Sequence, residues 1–212
     1  MVIALEQQET LRRLGGLLSD VLDYPQGDLR RTVSACERLA AEVAAGAVTP
    51  LALFRIWLEE TPAGRVEEVY TATFDLDVSR CLYTGYHLFG ETYQRSLFLI
   101  GLKEWFAAAH FNCEGELPDH LAVLLRFLAV CDDGDRRNEL IQDALLPALT
   151  KILAASTGGE NKEVDRPLQT PYQPDGNATS PYLRVLQGLQ VVLEQWPRLV
   201  TVAAPEEGDL RV

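Results

Sequence analysis

At 212 residues, with 47% hydrophobic and 24% charged side chains, the chain is long enough and apolar enough to bury a core of its own, which excludes disorder as a description of the whole. Nineteen basic side chains against 31 acidic ones leave a net charge of −12, shared as −5 and −7 between the halves that meet at residue 106. A field of that sign repels a phosphate backbone or an anionic bilayer, so neither nucleic acid nor direct membrane insertion is expected. The four cysteines, Cys36, Cys81, Cys113 and Cys131, form no C-x-x-C pair and have no histidine at ligand spacing. They read as small core hydrophobes in a reducing compartment, with no metal, disulfide framework or other cofactor. Glu6 and Glu9 interrupt anything like a signal-peptide core, and the most apolar stretch, 97–111, carries Lys103 and Glu104 and falls short of the about 20 residues a membrane span needs. The cytoplasm is the expected address.

In chain order, Leu11, Leu14, Leu18, Val21 and Leu22 recur at helical spacing until Tyr24-Pro25, where proline disfavours helix in the residue before it. A second helix is expected over 28–45, with Leu29, Val33, Cys36, Ala40 and Val43 on one face and Gly46 as its stop. A third is expected to start after Thr49-Pro50, with threonine as cap and proline at the first helical position, and to carry Phe54, Trp57 and Leu58. Thr61-Pro62 repeats that signal and opens a fourth, which presents Val66, Val69, Tyr70 and Phe74. A short aromatic helix over 81–89, ended by Gly90, leads to the strongly apolar 92–109, expected to be the central, largely buried helix.

Pro118 is then read as opening a helix through Val130, Asp135 as capping the next, and Pro147 as beginning or kinking a turn that reaches Ala155. Residues 156–180 concentrate Gly, Pro and Asn and read as an irregular loop, either functional or mobile. Ser180-Pro181 starts a last helix with Leu183, Leu186, Leu189, Val192 and Leu193, after which Pro197 and an acidic tail, 197–212, end the fold. No segment alternates with period two. The sum over 1–212 is an all-α, single-domain bundle of roughly nine to ten helices.

Little in the sequence supports catalysis. Asp119-His120 is the one adjacent carboxylate and imidazole, but sequence neighbours on a helix do not face each other. Asp119 is equally explained as an exposed charge on the positive end of a helix dipole, where its removal costs about 0.3–1 kcal/mol. G-x-S-x-G, a phosphate loop, H-E-x-x-H and G-x-G-x-x-G are all missing. The run Asp132-Asp133-Gly134-Asp135 lacks EF-hand spacing and reads as a solvated loop. His87 and His110 carry no assigned chemistry. Of the aromatic set Tyr70, Phe74, Tyr83, Tyr86, Phe89, Trp105 and Phe106, most belong in a core, and the rest suit a groove for an amphipathic, basic segment of another protein.

The ordered series Tyr70-Thr-Ala-Thr-Phe74-Asp75, Cys81-Leu82-Tyr83, Tyr86-His87-Leu88-Phe89-Gly90-Glu91, Arg95, Leu102-Lys103 and Glu116-Leu117-Pro118-Asp119-His120-Leu121 resembles the NarJ family. These are the delta-subunit assembly chaperones of nitrate reductase, allied to the TorD-like redox enzyme maturation proteins. The series covers about 66–131, and the Ser180-Pro181-Tyr182 helix is similar to the family's last helix. Arg126 and Ser96 depart from the pattern, at positions where an acidic residue and a glycine are common. The resemblance implies a TorD/NarJ-like helical bundle and a non-catalytic cytoplasmic chaperone. Its partner would be the catalytic subunit of a molybdoenzyme of the nitrate reductase alpha type, bound through its N-terminal peptide while the molybdenum cofactor is inserted and the complex assembles. Peptide contacts would fall to Phe74, Tyr83, Tyr86, His87, Arg95, Glu116, Pro118, Asp119 and His120, the polar ones on the expectation that they are exposed. The alternative is a stably bound structural or adaptor subunit of a membrane-associated redox complex.

Overall fold

The computed structural model describes residues 2–113, 115–155 and 180–201. In chain order the helices are α1 (Val2–Leu22), α2 (Leu29–Val43), α3 (Val48–Glu60), α4 (Ala63–Phe74), α5 (Thr84–Phe89), α6 (Tyr93–Ala108), α7 (Leu121–Val130), α8 (Gly134–Glu139), α9 (Leu146–Ala154) and α10 (Tyr182–Thr201). Short 3₁₀ turns at Ala45–Ala47 and Val78–Arg80 and a π-helical turn at Leu140–Leu145 complete the described residues, which contain no strand beyond one isolated bridge. The all-α expectation holds. Of the expected irregular stretch only Ser180 is described; the rest of 156–180, and the tail past 201, lie outside the described residues.

The centre is α7. Leu121, Ala122, Val123, Leu124, Leu125, Phe127 and Leu128 are all buried, because a helix apolar on every side is stable only where neighbours cover every side. Helix α1 lies along it through Leu11, Leu14, Leu18, Val21 and Leu22, and α2 and α10 close on α1 in turn. The expected central helix, 92–109, is not central. On α6 only Leu102 and Phe106 are buried, while Tyr93, Leu97 and Ile100 are 74%, 50% and 54% exposed. Phe106 anchors one end of α6, its ring 4.8 Å from Phe127 and 4.9 Å from Phe111, and α5 runs beside it. A count of apolar residues shows that α6 has two sticky faces but not that the fold covers one of them.

Other expectations are corrected at their ends. The 3₁₀ turn at Ala45–Ala47 leads straight into α3, so Gly46 lies within that turn, and Thr49 and Pro50 fall inside the first helical turn. Proline is harmless there, since the first amides of a helix have no intrahelical acceptor. Residues 81–83 are not helical, and α5 starts only at Thr84. Asp133, not Asp135, caps α8, its carboxylate accepting from the amides of Asp135 and Arg136. Pro197 does not end α10, which continues to Thr201, with Trp196 fully buried in the turn before it.

Aromatic packing ties α3, α4 and α10 together around Tyr182, whose ring lies 4.9 Å from Phe54, 5.3 Å from Tyr70 and 5.5 Å from Phe74. The two apolar helices should respond differently to truncation. Phe127→Ala should cost about 3–5 kcal/mol in urea unfolding, as for a buried aromatic. Ile100→Ala should change stability by no more than about 0.5 kcal/mol, as for a surface position. Similar losses at both positions would show α6 to be as buried as α7.

Candidate functional site

The segment before α5 is held by the segment before α7. Asp77 caps the 3₁₀ turn at Val78–Arg80, and the chain then bends at Leu82 and reaches Tyr83 outside any helix. The amide of Thr84 donates to the Asp119 carbonyl at 2.8 Å and that of Leu121 to the Leu82 carbonyl at 2.7 Å, with Tyr83 and His120 facing each other as an antiparallel bridge. These bonds between distant segments explain why Pro118 does not open α7. Leu117-Pro118-Asp119-His120 is a turn closed by the His120 amide on the Leu117 carbonyl at 3.0 Å, and the helix begins at Leu121.

Asp119, expected to be exposed, is completely buried. Its Oδ2 accepts a hydrogen bond from Nε of Arg95 at 2.9 Å, and its Oδ1 has no partner among the described residues. Burial works against the charge of Arg95, but the hydrogen bond and the charge of Asp119 outweigh it and raise the guanidinium pKa. The guanidinium carbon sits 5.6 Å from the Tyr83 ring centre and 6.0 Å from that of Tyr86, within range of attraction to both ring faces. Gly85 makes this closeness possible. A Cβ there would lie 2.7 Å from Asp119 Oδ2 and 3.0 Å from Phe98 Cδ1, so no larger residue fits without displacing the ion pair.

Tyr83 donates its hydroxyl to Oε2 of exposed Glu116 at 3.0 Å, and burial followed by that carboxylate pushes the phenol pKa up to about 12. His120 packs edge-on against Tyr83 at 5.3 Å and is also buried, which lowers its pKa. Asp119 is bonded to Arg95 and not to His120, so the acid–base pair suggested by their adjacency is not formed. His87 Nε2 lies 2.7 Å from the Cys81 carbonyl, and Lys151 donates to the His87 carbonyl at 2.6 Å. Burial lowers the His87 pKa as well.

Tyr83, Tyr86, Arg95, Glu116, Asp119 and His120 are thus brought together, with buried Pro118 shaping their turn. Phe74 is not among them; it is a core ring packed 5.1 Å from Tyr70. Of the polar residues expected on the surface, only Glu116 is openly exposed. Further along α5 and α6 lies a feature that residue reading found only in part. A groove of about 240 Å³ is lined by Leu88, Phe89, Phe98, Trp105, Leu140 and Ala144, with Gly101 and Leu102 in its α6 wall and Glu139 and Asp143 from the opposite side. Phe89 and Trp105 belonged to the expected aromatic set; Phe98, Leu140 and the two carboxylates did not. Leu140 and Asp143 belong to the π-helical turn just before Pro147, which has no N–H to return to Asp143, and Glu139 directly precedes that turn; π-helical turns are frequent at functional sites.

A larger cavity, about 600 Å³, lies between Tyr24–Arg30 and Leu58–Glu67, but its charged groups are already engaged within the fold. Arg30 bonds the Leu58 and Thr61 carbonyls, Tyr24 bonds Glu67, and Asp28 caps α2. Among the described residues there is no cluster of His, Cys, Asp and Glu able to hold a metal ion, and no helix long and apolar enough to cross a membrane.

The helical arrangement is shared with a solved protein of low sequence identity. A crystal structure from Archaeoglobus fulgidus, described as a redox enzyme maturation protein, matches it with a TM-score of 0.53 over 86% of this chain and 93% of that one, at 17% identity. The nitrate reductase delta subunit family matches residues 37–156, more than half the chain and enough to enclose both the ion pair and the groove, and the chain belongs to that family. A Bacillus subtilis (strain 168) protein, described as the nitrate reductase molybdenum cofactor assembly chaperone NarJ, is 29% identical over 118 residues. The match spans 54% of this chain and 64% of that relative, just under two thirds of its length.

Burial of Asp119 changes what its substitution should do. Asp119→Asn removes one member of a buried pair and leaves Arg95 uncompensated, a loss of about 3 kcal/mol, the low end for broken buried pairs because Arg95 retains some contact with water. Urea unfolding at neutral pH measures it directly, and a loss below about 1 kcal/mol would mean that the pair contributes no more than a charge at a helix terminus.

Proposed function

We propose that the chain is a system-specific chaperone acting in the cytoplasm. It binds the N-terminal segment of the catalytic subunit of a respiratory molybdoenzyme, of the nitrate reductase type, and keeps that subunit competent for insertion of the molybdenum cofactor and assembly of the complex. The observation that carries this reading is the placement of an uncovered apolar face inside the part of the chain that matches the delta subunit family. Membership of the family supports this class of client, and the exposed face of α6 and the groove support a place on that helix for a client segment.

The size of that surface favours a transient partner. A groove of about 240 Å³, on a helix that also exposes Tyr93, Leu97 and Ile100, suits a short segment, whereas permanent subunits bury on the order of 2,000 Å² or more. In this reading the residues first expected to touch the client divide in two. Tyr83, Tyr86, His87 and Glu116 border the bound segment, while Phe74, Arg95, Pro118, Asp119 and His120 hold α5 and α6 in place for it. Burial of the segment's apolar side supplies most of the affinity, and exposed ion pairs add about 0–1 kcal/mol each.

The test is made in cells that carry the client enzyme and lack this chain. The catalytic subunit should accumulate with little molybdenum and little activity, both should return with the wild-type chain, and the finished enzyme should contain none of it. Normal molybdenum content without the chain would refute the chaperone reading. Purification of the chain in fixed stoichiometry with the mature enzyme would replace it by a structural subunit.

A further inference from the structure

Gly101 stands in the interior of α6, a position where glycine is the poorest helix former after proline. Nothing in the fold requires it. Its φ is not in the left-handed region, and a Cβ built on it would meet no atom within 4 Å, in contrast to the blocked position at Gly85. The residues around it are large: Phe98, Leu102 and Trp105 belong to the same wall, and Leu97 and Ile100 beside it are half exposed. The result is a notch in an apolar surface, open on the outside. Helices approach each other to a distance set by the side chains at their crossing, so a missing side chain at that point admits a closer neighbour.

The chemistry of the neighbour follows from the rim. Glu139 and Asp143 stand on the wall opposite α6, and Glu104 follows Gly101 by three residues on the same helical face. All three are exposed and have no ion pair among the described residues. Two basic groups nearby are already engaged: Arg136, whose guanidinium lies over Trp105, is paired with Asp133 at 3.2 Å, and Lys151 is bonded to the His87 carbonyl; Lys103 on α6 is exposed but is not among the residues that line the groove. The cavity volume is also below the roughly 300–1,000 Å³ usual for small-molecule sites, which suits anchoring side chains better than a cofactor.

We propose that Gly101 is the crossing point for a basic amphipathic helix of the client. That helix lies against α6 at the notch, sets an apolar side chain between Phe98, Trp105 and Leu140, and directs a lysine or arginine to Glu139 and Asp143. The inference rests on the chaperone reading above and adds to it where the client crosses and which carboxylates select it.

The probe is a synthetic peptide of the N-terminal segment of the catalytic nitrate reductase subunit from the same organism, titrated calorimetrically into the full chain. A Cβ at residue 101 meets no atom within 4 Å, so the side chain of Gly101→Leu starts from open space and projects into the notch. This variant should melt no earlier than the wild type and weaken binding by roughly tenfold or more, as blocking a central contact does. Gly101→Ala, which adds a single methyl, should fall between the two. The double variant Glu139→Gln, Asp143→Asn should bind several-fold more weakly than wild type at low salt, and the difference should shrink at high salt as the charges are screened. Wild-type affinity in Gly101→Leu overturns the crossing point while leaving the chaperone reading intact. A wild-type chain that does not bind the peptide overturns both.

Discussion

A carboxylate with no access to water must find a cation or give up its charge, and Asp119 finds Arg95. That pairing determines where α6 can lie. Asp119 belongs to the turn before α7, which the Thr84 and Leu121 amides bond to the segment before α5, so Arg95 ties α6 to both neighbours at once. At the other end of α6, Phe106 is clamped between Phe111 and Phe127. Between these anchors the helix rests on α5 and presents Leu97, Ile100 and Gly101 away from the core. The ion pair is therefore less a source of stability than a constraint on geometry. Burying such a pair gains little net free energy, but losing one partner costs several times as much.

The same constraint links fold to function. Gly85 lets the ion pair form at contact distance, Tyr83 and Tyr86 cover the guanidinium, and the short α5 is fixed so that Leu88 and Phe89 reach the groove. The opposite wall comes from the π-helical turn at Leu140–Leu145, which contributes Leu140 and Ala144 as well as the acidic Asp143. A buried structural pair and an open apolar groove are thus two ends of one arrangement, within the residues that match the delta subunit family.

Much of this was legible in the residues themselves. Leucine spacing in α1 and α10 marks helices with one buried stripe, and those helices occur close to where the periodicity puts them. The ordered motifs from Tyr70 to Leu121 point to the right family before any coordinates. What they do not reveal is the direction of a side chain. Asp119 looks like an exposed helix-terminal charge because its partner, Arg95, is distant in sequence and reached only through tertiary contact. Helix α6 looks central because its apolar residues surround the helix, and periodicity cannot distinguish a face covered by the chain from one left for a partner. The groove was the least legible feature, since its walls are 88–105 and 139–144, joined only by the fold.

Hydrogen–deuterium exchange along the full chain, with and without the client's N-terminal segment, tests the central claim most directly. Binding at the groove should slow amide exchange in α5, in α6 and across Leu140–Leu145, and leave the cavity between Tyr24 and Glu67 unchanged. Protection confined to that other cavity, or to helices far from α6, would contradict the account.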